Sequence, residues 1–415
     1  MAWGGRYKKK LRMFKNIGYN AKILLVSNPF WAIAPGMLFF YRPLYMRAVG
    51  LSEVEIGTLT SIAMIGAFIF GLLAGPLTNR FGRKMTVVIA DFITWGIPMF
   101  LWAVADSYIY FFIAAIFNGM NYIASVAFQC ALHEDTAPEH RATNNIILNW
   151  TISLFAMLAP VTTLFIDDLG MIKTMRIGHL IGLVLMFICF TIRLFFMRET
   201  QIGKNIMAQN KQIKLTQILK NSLKTLKVIL KNKETILIGT MYILSNTAAQ
   251  FSIFQLIFLN ERLGYDSGNL SIAALVNSAV VVIATVILIP IVRRKSNYTI
   301  VSFCYFISAA ISLLFIFLPS NALFLTLAVL AALSLAGNFT TNFRDSAFFN
   351  SIGENEKSDA FSTLLALNAL INMPMGFIAG ILFRINQLLP FIMIVIIFVI
   401  AGGISIILLK SRQKI

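Results

Sequence analysis

The chain has 415 residues, of which 58% are hydrophobic and 13% charged. Soluble domains carry about 25% charged residues, so this composition excludes a water-soluble globular protein. The formal net charge of +18 invites a nucleic-acid reading, but the basic residues sit between long apolar runs rather than on one domain, which excludes it.

Residues 1–22 are basic (Arg6, Lys8, Lys9, Lys10, Arg12, Lys15, Lys22), and a first apolar run follows at roughly 23–46 with Pro29, Pro35 and Pro43 inside it. Prolines are tolerated in membrane helices where neighbours satisfy the freed carbonyls. A basic start leading into a run this long, without a small-residue cleavage site, does not read as a signal peptide. Further runs lie at roughly 55–77 and 85–105. Each can span a bilayer, whose hydrocarbon core needs about 20 apolar residues. Between them stands Gly75-Pro76-Leu77-Thr78-Asn79-Arg80-Phe81-Gly82-Arg83-Lys84, too short for anything but an antiparallel hairpin. Arg80, Arg83 and Lys84 place that turn at the cytoplasmic surface. Gly82 permits a sharp turn, and Gly71 and Gly75, one helical turn apart, predict a close approach by another helix.

Spans 4 to 6 are predicted at about 108–132, 143–166 and 175–197, followed by a lysine-rich segment at 198–233. There Leu215, Leu219, Leu223, Leu226 and Leu230 share one helical face, and Lys220, Lys224, Lys227 and Lys231 another. That pattern suits a helix on the membrane surface connecting two halves. Six more spans are predicted at roughly 235–259, 269–292, 298–318, 321–343, 359–383 and 388–409. The fold class is therefore an all-α membrane protein with twelve transmembrane helices in two six-helix bundles. The bundles are 23–197 and 234–409, with a basic N-terminus at 1–22, a linker at 198–233 and a tail at 410–415.

Lysine and arginine concentrate on alternate connections, and the other side keeps Arg42, Arg47, Lys173, Arg176, Arg262 and Arg384. This places both termini in the cytoplasm, on a cell-membrane protein. Anionic lipid of the inner leaflet is the expected electrostatic partner. Cys130, Cys189 and Cys304 fall inside spans, and His133, His140 and His179 are scattered. They offer neither a disulfide framework nor zinc spacing, and no cofactor is expected.

An internal repeat supports two similar halves. Gly50 and Gly264 each follow the first span of a half, 214 residues apart, and Pro76 and Pro290 share that offset. Arg293-Arg294-Lys295 then stands where Arg80–Lys84 stands in the first half. Asn149 and Asn368 are offset by 219, as are Ser153 and Asn372. Repeated halves put a binding site at their interface near the midplane.

With Gly75, Leu77, Arg80, Gly82, Arg83 and Lys84 in place, the turn resembles the loop between helices 2 and 3 of major facilitator superfamily transporters, G-x-L-a-D-R-x-G-R-[RK]. Asn79 replaces the family's aspartate. Tyr41–Arg47, then Gly50-Leu51-Ser52, resembles the outer end of the superfamily's first helix. The resemblance implies that helices 1, 4, 7 and 10 line a central cavity, flanked by 2, 5, 8 and 11. It also implies an inner gate in which the loop meets the start of helix 11, at Ser358-Asp359, and an acid at the end of helix 4, Glu134 or Asp135. Arg83 would pair with either cluster. No subfamily follows: Ala115 stands where drug–proton antiporters carry an arginine four residues before the glycine matched by Gly119. Ala159-Pro160 lacks their flanking glycines, and Arg198-Glu199-Thr200 does not match sugar porters.

Polar residues inside spans are costly and usually face a bundle interior. Span 4 carries Asn118, Asn121, Tyr122, Ser125 and Gln129, and span 10 carries Ser334, Asn338, Thr341, Asn342 and Asp345. Asn145, Asn149 and Ser153 fall in span 5, Asn246 and Gln250 in span 7, Asn277 in span 8, and Asn368 and Asn372 in span 11; span 1 adds Trp31 and Arg42. Converging, they would make an amide-rich cavity suited to a neutral or zwitterionic solute. The alternative for each amide is helix-to-helix bonding. Arg42 either binds an anionic group or snorkels to the interface. Asp91 either carries a proton or pairs with a neighbouring helix, and Asp345 is the preferred candidate for coupling to a proton or cation.

The expectation is a monomeric transporter moving a small organic solute by alternating access. Export of amphipathic compounds is the runner-up, and a non-transporting receptor or scaffold is the reading from another class. No nucleophile–base pair, metal-ligand spacing or phosphate loop points to an enzyme.

Overall fold

The computed structural model describes residues 17–210, 232–292, 297–320, 322–352 and 357–412. The surface helix read at 215–231 and the basic turn at 293–295 lie outside the described residues. Among the described residues twelve long helices follow in order, eleven of them long and apolar enough to cross a membrane. They are α1 (Tyr19–Val49), α2 (Glu53–Phe81), α3 (Arg83–Val104) and α4 (Tyr108–His133), then α5 (Pro138–Ala156 continued by Ala159–Leu169) and α6 (Met171–Phe196). After a linker helix, Gln201–Asn210, come α7 (Lys233–Arg262), α8 (Ser267–Val292), α9 (Asn297–Ile316), α10 (Leu323–Asn350), α11 (Lys357–Asn372 continued by Met375–Ile385) and α12 (Leu389–Arg412). At 1.5 Å rise per residue, the 29 residues of α2 reach about 44 Å, longer than the hydrocarbon layer.

The repeat is written into the backbone. Gly50 and Gly264 both turn in the left-handed region, φ 103° and 72°, where a Cβ would be strained. Two residues on, each half caps its second helix. Ser52 Oγ accepts the Glu55 N–H at 3.3 Å, and Asp266 Oδ1 accepts the Asn269 N–H at 2.7 Å. Helices α1 and α7 both loosen into 3₁₀ turns, at Phe39–Tyr41 and Ser252–Phe254. Helices α5 and α11 both break just ahead of or at a proline. Pro160 and Pro374 lack the N–H that would bond the residue four before, so the breaks fall at residues 157–158 and 373–374. These breaks are 216 residues apart, about one turn short of the 219 read from the amides, so Asn149 and Asn368 do not occupy equivalent positions.

Packing differs between the two faces of the membrane. Towards the face carrying Gly50 and Gly264, one apolar cluster runs through both halves, joining Leu38, Tyr45 and Trp102 to Phe254, Phe258 and Phe391. Towards the face carrying Gly82, the cores separate. Leu24, Val87, Ala127 and Leu132 form one, and Ile238, Val301, Tyr305 and Phe348 the other. The halves meet through α2 on α11, α5 on α8, and the C-terminal piece of α1 on α7. The close approaches on α2 are at Gly57, whose side faces the Gly376 carbonyl without room for a Cβ, and at Gly66, packed against Gly119 of α4. Gly71 and Gly75 provide neither: a Cβ at Gly75 would meet nothing within 4 Å, and at Gly71 only the Tyr122 ring at 3.9 Å. One turn further along, Ser61 Oγ accepts the Phe377 N–H at 2.9 Å. That donor is left over by the break in α11.

Candidate functional site: a cavity in each half and the loop between the second and third helices

On the Gly50 face, Arg47 closes the junction. Its Nη2 meets Glu53 and its Nε meets Glu261 of the other half, each at 2.8 Å. Arg47 and Glu261 are themselves 214 residues apart. Equivalent positions of two repeats touch only near the axis relating them, so this pair marks the pseudo-two-fold axis.

On the Gly82 face, the α2–α3 loop is fastened inside the first half. Gly82 turns at φ 84°. Arg83, 3% exposed, donates from Nε and Nη2 to Glu134 at 3.0 and 2.9 Å, and from Nη1 to Asn79 at 3.2 Å. Glu134 also accepts from Thr200. Glu199 accepts the Arg83 and Lys84 N–H groups at 3.0 and 3.1 Å, a carboxylate on the positive end of α3. Asp135 is taken by Asn20 at 2.5 Å rather than by Arg83. Arg80 is exposed, its guanidinium 6.0 Å from the Phe81 ring. Asp359 starts α11, and its side chain lies outside the described ones, as does that of Ser358. The contacts seen among the described residues therefore join the loop to the first half and to the start of the linker. Glu199 and Thr200 escaped the sequence reading, although an acid directly after a span in an acid-poor chain was a usable signal.

Two cavities open within the halves. The first, about 170 Å³, is lined by Asn28 and Trp31 of α1, Asp91 and Trp95 of α3, Asn121, Ser125 and Gln129 of α4, and Arg193 of α6. A π-helical stretch, Phe92–Gly96, directly follows Asp91 and turns Trp95 inward against Trp31, ring centroids 5.2 Å apart. Asp91 pairs with Arg193, which also donates to Ser27 at 3.0 Å. Asp91 is thus half of an ion pair with a neighbouring helix, and that pair faces the cavity. The second cavity, about 330 Å³, has hydroxyls of Ser245, Ser252, Ser308, Ser334 and Thr341 together with Gln255 and Asn277, against walls of Phe315 and Phe391.

Several expected residues line neither cavity. Arg42 lines neither cavity and is held between rings: its guanidinium lies 3.4 Å from the Phe39 ring centroid and 4.4 Å from that of Trp102. Asn368 and Asn372 are buried and bonded to each other at 3.0 Å, which is packing within α11. Asn342 bonds back to Asn338, and Asn246 to the Tyr242 carbonyl, both at 2.9 Å. Tyr122 lies against Gly71, and Asn118 and Gln250 line neither cavity. Asn149 is exposed beside Trp150. Asp345 is held by its neighbour Arg344 at 2.8 Å rather than standing as a lone carboxylate, and Arg344 lies 4.4 Å from the Tyr242 ring centroid.

Among the described residues, eleven helices long and apolar enough to cross a membrane, together with α8, form two repeated halves with a shared core at one face and separate cores at the other, the build of a membrane transporter. The sequence profile of the Major Facilitator Superfamily matches residues 25–358, and the chain belongs to that family. It is similar to the quinolone resistance protein NorA of Staphylococcus aureus, at 22% identity over 110 residues. That match spans 26% of this chain and 28% of the relative's length. Among solved structures, a D-xylose–proton symporter superposes with a TM-score of 0.71 at 16% identity, covering 93% of this chain and 96% of that one. The nucleoside transporter NupG gives 0.66 at 14%, covering 95% and 98%. A POT family transporter in complex with 5-aminolevulinic acid gives 0.70 at 12%, covering 96% of each. These likenesses share the fold.

Proposed function

We propose that this transporter carries a small neutral or zwitterionic organic solute through the crevice between its halves by alternating access. The Gly82 face is the cytoplasmic one, with both chain ends on that side and anionic lipid beside it. The observation that carries this reading is the asymmetry of packing: one shared core and the Arg47–Glu261 pair at the Gly50 face, separate cores at the Gly82 face. That is an inward-facing state, and a transporter must reach its converse. The halves are residues 23–197 and 234–409, with 198–233 as the tether. Substrate moves the equilibrium only by binding the intermediate states differently. A proton or cation co-substrate has Asp91–Arg193 and Arg344–Asp345 as its candidate stations.

Reconstitution into liposomes, with solute uptake measured with and without a pH gradient, tests this reading. Saturable, protein-dependent uptake is expected. Binding of a solute that never crosses would instead make the chain a receptor with the transporter fold. A second reading is export of amphipathic compounds. It is favoured by the partial match to a quinolone resistance protein and by the aromatic wall of the larger cavity, and protein-dependent accumulation of a fluorescent dye inside inside-out vesicles would select it.

A further inference from the structure

We infer that the cavity of the first half is a subsite for a zwitterion of amino-acid size, its two charges held by Asp91 and Arg193. This rests on the reading of the chain as a transporter with a solute site between its halves.

Asp91 and Arg193 line the same cavity and are paired with each other. They come from α3 and α6, where the flanking runs 87–90 and 194–196 are apolar. A net charge in the membrane interior is costly, so a solute entering here is matched only if the sum of charges stays zero. A singly charged solute leaves one ion uncompensated. A zwitterion laid antiparallel to the pair brings its carboxylate to the guanidinium and its ammonium to the Asp91 carboxylate, giving four charges that alternate in sign around a ring.

The rest of the wall has the chemistry to receive both ends. Asn28 is 3% exposed, lines the cavity, and its Nδ2 has no hydrogen-bond partner. An amide N–H left unmade in a buried site is costly, and a ligand carboxylate beside Arg193 would take it. Trp31 and Trp95 present indole surface where the ammonium would lie, and tryptophan is the best of the aromatic faces for a cation. Phe128 already faces one, with the Arg193 guanidinium 5.3 Å from its ring centroid. A volume of about 170 Å³ limits the solute to a compact body. A purely structural ion pair stapling α3 to α6 would need neither the vacant amide nor the aromatic lining.

The test uses the full chain in lipid nanodiscs and proteoliposomes. The zwitterionic probes are glycine betaine, L-leucine and L-phenylalanine. Their singly charged counterparts are L-leucinamide and N-acetyl-L-leucine. At least one zwitterion should raise the thermal midpoint and compete for uptake, with the cationic and anionic counterparts at least tenfold weaker. Asn28→Ala should weaken that binding three- to tenfold with the midpoint of the ligand-free protein unchanged. The double variant Asp91→Asn/Arg193→Gln, which strands no lone charge, should abolish it. If the double variant fails to fold, the Asn28→Ala and Ser125→Ala results decide. Three outcomes overturn the inference: no zwitterion of the panel binding, counterparts binding as tightly as zwitterions, or binding unaffected by Asn28→Ala and Ser125→Ala. Uptake of an uncharged solute in those cases would leave the transporter reading standing. Zwitterion binding without any transport would support the subsite and remove the transporter reading.

Discussion

Glu261→Gln is the perturbation that separates the closed Gly50 face from the rest of the account. Glu261 is the second half's contribution to the Arg47 clasp, at 2.8 Å, with the two side chains 35% and 28% exposed. Two unit charges about 4 Å apart attract by about 4 kcal/mol at the effective dielectric of a protein surface. Solvent and the ordering of both chains reduce the net value of such half-exposed pairs to about 1 kcal/mol. Because the clasp joins opposite halves, it exists only while this face is shut. Its loss should therefore appear entirely as a shift between states, about fivefold towards the form open at the Gly50 face. The assay is the alkylation rate of a single cysteine at Leu256, in a background lacking Cys130, Cys189 and Cys304, with an impermeant maleimide added from the Gly50 side. Glu261→Gln should raise the rate about fivefold. Salt at 1 M, where the screening length falls to about 3 Å, should raise the unmodified clasp's rate towards the same value. A rate unchanged within twofold in folded Glu261→Gln would refute the reasoning.

Other consequences follow from the same geometry. A Cβ on Gly376 would stand 2.6 Å from the Gly57 carbonyl oxygen, so Gly376→Val should hold the halves apart, abolishing uptake and raising the same alkylation rate while expression persists. Glu199→Gln removes the carboxylate from the N-terminus of α3, an interaction worth about 1 kcal/mol, and should lower the thermal midpoint measurably. Asn372→Ala should cost stability of about 0.6 kcal/mol without changing the KM for uptake, whereas Gln129→Ala should raise KM with the midpoint unchanged. Reversal of that pattern would exchange the roles assigned to α11 and α4.

What was legible in the sequence is what local chemistry decides. Apolar length gave the helices, and the glycines at 50 and 264 gave the repeat, because a left-handed turn has a residue preference that survives alone. The loop at Gly82 was legible for the same reason. The rotation of each helix was not. Gln129 and Asn372 are both amides at helical spacing, yet one lines a cavity and the other is sealed against Asn368. Only packing by neighbouring helices distinguishes them. Arg42 shows the same limit: the ring that covers it, Trp102, arrives from α3. The partner of Asp91 was hidden similarly, since Arg193 lies 102 positions away.

The account depends on two halves that pivot so that one face opens as the other shuts. Spin labels at Ala48 and Arg262, which are exposed near the clasp, and at Arg80 and Lys233, exposed at the opposite face, report both mouths by pulsed dipolar distance measurement. On moving from ligand-free to substrate-loaded protein in nanodiscs, the Ala48–Arg262 separation should gain a longer population while the Arg80–Lys233 separation gains a shorter one, in matching proportion. Transport that continues while both distances stay fixed, or lengthen together, would contradict it.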